Sequence, residues 1–159
     1  MRTVLKISTI LTWFNTISWG FIVLLFLMAG LVTQQIFFIV IAFVMGAIVL
    51  HSYAALRLQR SIRDPAKPLS NQTPAGIRFI GIIAAFEGLY SFANGIATAY
   101  DSPNIVKAML AQYPQMKGIT VASLHIGAVF AIISGISIVV NVLLNFRLLR
   151  WYHFMKGMM

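Results

Sequence analysis

No Asp, Glu, Lys or Arg occurs between Lys6 and Arg57. A stretch that long without charge cannot cover a water-facing surface. A helix that crosses a bilayer core needs roughly 20 apolar residues, and residues 7–56 hold two such lengths. Only Thr33-Gln34-Gln35 interrupts them. The pattern predicts span one over 7–31 and span two over 36–56, antiparallel neighbours because the link is so short. A secretory leader also has a basic start and an apolar run. This run is too long for one, and no small-x-small cleavage site stands out.

Composition extends the argument to the whole chain. Of 159 residues, 60% are hydrophobic and 9% charged, against about a quarter charged in a soluble domain. The expectation is one integral membrane domain over 1–159. The net charge of +9 does not point to direct nucleic-acid binding, because the basic residues gather at the ends of apolar runs, where membrane topology wants them. The chain has no cysteine, so disulfides, thiolate metal sites and cysteine nucleophiles are excluded.

After span two, Arg57, Arg60 and Asp64 fall at i, i+3 and i+7, on one helical face. Pro65 and Pro68 then predict the helix end. Thr73 as N-cap and Pro74 at the first helical position predict span three over 74–100. Asp101-Ser102-Pro103 is read as its break, followed by a candidate short surface helix over 104–113 that Pro114 ends. Span four is expected over 119–146, longer than a bilayer needs. Its tail mixes Arg147, Arg150 and Lys156 with Trp151, Tyr152 and Phe154, the composition of an interfacial anchor. Ten of the twelve basic residues then lie on one side, and only Lys107 and Lys117 on the other. The positive-inside rule places both termini and the central loop in the cytoplasm. The predicted fold is an all-α, four-helix transmembrane bundle, N-in and C-in.

The central stretch Leu56-Arg57-Leu58, Ser61-Ile62-Arg63, Pro68-Leu69-Ser70 and Arg78-Phe79-Ile80-Gly81 resembles the central loop of a family of small bacterial four-span membrane proteins, known only as a domain of unknown function. Ala66 stands where that family has Gly, and Leu69 where it has Phe. The resemblance implies a bacterial cytoplasmic membrane protein with a regulatory or partner-binding role, since members are often encoded beside a small helix-turn-helix regulator. It carries over no catalytic residue.

Glu87 is the one acidic residue inside a span, and an ionisable group at that depth is a functional candidate by default. Tyr90 and Asn94 follow at i+3 and i+7, so one face of span three is polar. A proton or cation site is the sharp reading. The bland one is a neutral carboxyl hydrogen-bonded across the bundle. His125 lies at a depth that could approach Glu87. His51 sits nearer the inner end of span two. No ligand spacing links the two histidines, and no metal or other cofactor is expected.

Thr12, Asn15 and Ser18 on span one, and Asn141 and Asn145 on span four, are candidates for interhelical hydrogen bonds. Gly81, Ala84, Gly88, Ser91 and Gly95 line one side of span three, and Ser123, Gly127, Ala131 and Gly135 recur every four residues on span four. Such stripes allow close helix approach, within the bundle or at a homo-oligomer face. No GxSxG, phosphate loop or dinucleotide fingerprint is present.

The leading expectation is a non-enzymatic protein that binds a cytoplasmic regulator or a membrane partner through its basic loop, Arg57, Arg60, Arg63, Lys67 and Arg78. The same loop also sets topology and meets anionic lipid headgroups. The alternative is a small oligomeric transporter or channel subunit, with Glu87 as its proton-linked group.

Overall fold

The computed structural model describes residues 2–64, 66–113 and 118–157. Four helices account for almost all of them: α1 Arg2–Thr33, α2 Ile36–Arg63, α3 Thr73–Gln112 and α4 Val121–Gly157. No strand occurs among the described residues. Each helix is long and apolar enough to cross a membrane.

Burial differs from that of a soluble protein in two respects. Ser8, Asn141 and Asn145 are 0% exposed, while Val32 is 81% and Phe43 77% exposed. In water this would be costly twice over, through orphaned polar groups inside and apolar surface outside. In lipid it is the favourable arrangement. The tails solvate Ile, Leu and Phe, and the polar groups bond to one another inside.

All four helices run past the spans expected from sequence at one end or both, although α4 starts two residues later than expected. The 40 residues of α3 measure about 60 Å at 1.5 Å per residue, twice a hydrocarbon core of roughly 30 Å. The largest correction lies in this helix. Asp101-Ser102-Pro103 does not break it, and residues 104–112 continue it instead of forming a separate surface helix. Proline removes the N–H that would bond the carbonyl four residues back, which here is Ala99. His125 on α4 supplies the missing donor: its Nε2–H bonds Ala99 O at 3.1 Å. Ser102 Oγ donates to the neighbouring Thr98 O. A spanning helix tolerates proline when side chains re-satisfy the freed backbone in this way. Pro114 and Lys117 lie outside the described residues.

The tight α1–α2 link works because Gln34 takes a left-handed conformation, φ +54°. Gln35 caps α2 with extended backbone. At the other end of α2, Asp64 has left the helix (φ −129°, ψ 92°) and its N–H bonds Arg60 O. It therefore does not share a helical face with Arg57 and Arg60. Its carboxylate pairs with Lys67 at 3.2 Å and accepts from Ala66 N–H at 3.2 Å. Pro65 lies outside the described residues.

Gly76 N–H bonds Gln72 O at 3.0 Å, so α3 starts one residue early and Thr73 is inside it, not its cap. The Thr73 and Ser70 hydroxyls bond each other at 2.7 Å. Helix α4 starts with a capping box: Thr120 N–H donates to Ser123 Oγ at 2.9 Å, and Ser123 N–H to Thr120 Oγ1 at 3.1 Å.

The chain divides into two compact units, Met1–Glu87 with Ser137–Met159, and Gly88–Ile136. The first holds α1, α2, the first part of α3 and the last part of α4. Its core has two apolar clusters, one with Trp19, Ile48, Ala84, Ile138 and Val142, the other with Leu58, Leu69, Ile77, Leu148 and Leu149. The second unit pairs the rest of α3 with the start of α4.

Candidate functional site

The polar interior of the first unit is one connected network. Ser8 Oγ donates to Asn145 Oδ1 at 3.0 Å, and Thr12 Oγ1 lies 2.9 Å from Asn141 Oδ1. Asn145 Nδ2 reaches Asn141 O at 2.8 Å and Asn141 Oδ1 at 3.0 Å. From α2, Gln59 Nε2 lies within 2.9 Å of Ser8 Oγ, 3.0 Å of Thr12 Oγ1 and 3.3 Å of Asn145 Oδ1. One turn deeper, Ser137 Oγ donates to Asn15 Oδ1 at 3.0 Å.

The inward stripe of α1 is thus Ser8, Thr12, Asn15 and Trp19, spaced 4, 3 and 4. Ser18 does not share it, because six residues from Thr12 turn it about 240° around the helix. Gln59 lies inside the basic segment Arg57-Leu58-Gln59-Arg60. Two residues from Arg57 is about 200° of rotation, so the glutamine faces in where the arginines face out. That rotation was the available signal.

Five side chains in this interior keep unpaired polar atoms among the described residues: Trp19 Nε1, both ring nitrogens of His51, Ser52 Oγ, Gln59 Oε1 and Asn141 Nδ2. His51 is almost wholly buried. Its Cε1 lies 3.0 Å from where a Cβ on Gly81 would stand. It packs against Gly81 of α3. Among the described residues, no group of three His, Asp or Glu is placed to hold a metal.

Glu87 is partly buried at the edge of the first unit. Within that unit its carboxyl makes no hydrogen bond or ion pair among the described residues. In the second unit Tyr90 is 68% exposed and Asn94 is exposed, while His125 is engaged by the Ala99 carbonyl.

The second unit is a close helix pair. A Cβ on Gly135 would stand 2.6 Å from Gly88 O and 2.7 Å from Phe92 N. One on Gly95 would meet Ala128 O at 2.9 Å. Ser91 Oγ donates to Ala131 O at 3.1 Å. The α4 seam is therefore Ala128, Ala131 and Gly135. Gly127 has nothing within 4 Å of its would-be Cβ, and Ser123 serves the cap. A strict four-residue repeat drifts about 40° per step on a helix of 3.6 residues per turn. Twelve residues from Gly135, Ser123 has left the contact face.

The basic residues separate into three sets. Arg57, Arg60 and Lys67 line one crevice of about 270 Å³ with Ser61 and Ser70. Arg57 is held over the Tyr53 ring at 5.1 Å. Arg63 Nη2 instead donates to Thr9 Oγ1 at 2.7 Å. Arg78 lines a different crevice with Arg150. A further cavity of about 370 Å³, walled by Ile62, Pro68, Trp151, Tyr152 and Lys156, adjoins the first. The loop between α2 and α3 is docked. Leu69 is 7% exposed, and its N–H bonds Tyr152 Oη at 3.1 Å. Leu69 thus anchors the loop that forms one wall of the crevice.

No protein-family model, curated protein or solved structure matches this chain.

Proposed function

We infer that this chain is a non-enzymatic protein of the bacterial cytoplasmic membrane, whose basic end docks an acidic segment of a cytoplasmic regulator. One observation carries the reading. Arg57, Arg60 and Lys67 converge on a single crevice with two serine hydroxyls, over a loop held down by Leu69. Topology needs only positive charge near the membrane. It does not need those charges gathered around one cavity. Arginine forks and hydroxyls bind carboxylates with geometric specificity. The ten-to-two distribution of basic residues supports N-in and C-in, with this end cytoplasmic.

The test is affinity capture from native membranes in mild detergent, with mass spectrometry of the co-purifying proteins. The triple variant Arg57→Gln, Arg60→Gln, Lys67→Gln is run beside wild type. A soluble partner lost in the variant is the expected result. A partner retained by the variant, or none captured by wild type, overturns the reading.

A second reading rests on Glu87, a partly buried carboxyl on α3. An oligomeric transport path would use such a group. Proton flux in liposomes abolished by Glu87→Gln would favour it, and flux equal to that of empty liposomes would end it.

A further inference from the structure

The crevice shared by Arg78 and Arg150 differs in kind from the one beneath Arg57 and Arg60. It measures about 380 Å³, and Ile82, Phe146 and Leu149 complete its lining. That volume falls within the roughly 300–1,000 Å³ of small-ligand sites. Here α3 and α4 run antiparallel, since Ile77 packs with Leu148 and Leu149 while Ala84 packs with Ile138 and Val142. Ile82 is four residues beyond Arg78, and Phe146 four residues before Arg150. On both helices, therefore, the arginine stands at the basic end and the apolar residue about 6 Å deeper.

The walls are firm. A Cβ on Gly81 would come within 2.8 Å of Phe146 Cε1, so the ring is seated on the glycine. Leu149 is 1% exposed. The arginines, by contrast, have no acidic side chain paired with them among the described residues. The chain has three acidic residues. Asp64 is taken by Lys67 at 3.2 Å, Glu87 is about 13 Å of helix rise from Arg78, and Asp101 belongs to the other unit.

A ligand that fits must be anionic at the basic end and apolar toward the membrane interior. We propose that this crevice binds one anionic phospholipid, its phosphate between Arg78 and Arg150 and the start of an acyl chain on Ile82 and Phe146. Two guanidinium forks suit a phosphate. Basic pockets between spans on the cytoplasmic side are where such headgroups are held. The site is separate from the partner crevice and does not depend on the partner; it rests on the cytoplasmic placement of this end.

The test uses the purified full-length protein in detergent and native mass spectrometry. It is titrated with phosphatidylglycerol, phosphatidylcholine or glycerol 3-phosphate. Wild type should retain a single phosphatidylglycerol at least ten-fold more strongly than phosphatidylcholine. Arg78→Gln with Arg150→Gln should abolish that preference, and Arg57→Gln with Arg60→Gln should leave it intact. Equal retention of the two lipids by wild type overturns the proposal, and that comparison needs no variant to fold. So does an unchanged preference in the Arg78/Arg150 variant. Displacement by equimolar glycerol 3-phosphate would make this a free-anion site and sink the lipid assignment.

Discussion

Asn145 and Gln59 belong to the same buried network, yet replacing each by leucine should have different consequences. Every polar atom of the Asn145 amide is used. Its Oδ1 accepts from Ser8 at 3.0 Å and Gln59 at 3.3 Å, and its Nδ2 donates at 2.8 and 3.0 Å to Asn141. Ser8 and Gln59 reach Asn145 from other helices, where such bonds average about 0.6 kcal/mol, and the two bonds to Asn141 lie within α4; at about the same value each, the four give at most ~2.4 kcal/mol. At 1.4 kcal/mol per decade, that is about a 50-fold loss in folding equilibrium. Gln59 can satisfy only two of its three acceptors, because an amide has two protons. Its Oε1 is buried without a partner, and burying such an atom costs about 1–3 kcal/mol. Leucine at 59 loses ~1.2 kcal/mol of hydrogen bonding and relieves a cost of similar size. Asn145→Leu should therefore be strongly destabilising, and Gln59→Leu should fall within about 1 kcal/mol of wild type, of either sign. The assay is SDS-driven unfolding in mixed micelles, followed by tryptophan fluorescence, Trp19 being in the core. Equal losses for the two variants would refute this accounting of donors and acceptors.

Three further outcomes are expected. His125→Leu should speed amide exchange over residues 104–112 about three-fold, from ~0.6 kcal/mol. In a Pro103→Ala background the effect should vanish, because Ala99 O regains a backbone donor; an equal effect in both backgrounds, read by hydrogen–deuterium exchange, rules the cap out. Gly135→Ala should cost about 1–3 kcal/mol because its Cβ meets backbone, whereas Gly127→Ala should cost nothing measurable by thermal unfolding in detergent. Leu69→Ala should cost about 2–3 kcal/mol and open the α2–α3 loop to limited proteolysis, with loss of partner capture at the Arg57 crevice; a loop still resistant to protease would contradict its anchoring role.

The four spans were legible because lipid imposes one severe demand. Backbone groups must bond within the helix, so charge-free lengths of chain report spanning helices directly. The 3-and-4 spacing of Gly81, Ala84, Gly88, Ser91 and Gly95 likewise reports a packing seam, since that spacing stays on one helical face. What the chain could not disclose depends on residues distant in sequence meeting in space. Pro103 reads as a helix end until His125 is seen to satisfy Ala99 O. Gln59 reads as part of a basic segment until Ser8 and Asn145 are found against it. The separation of Arg57, Arg60 and Lys67 from Arg78 and Arg150 is set by which helix faces adjoin. Charge counting along the chain has no access to that, because like charges at one membrane surface look alike until packing assigns each to its own cavity.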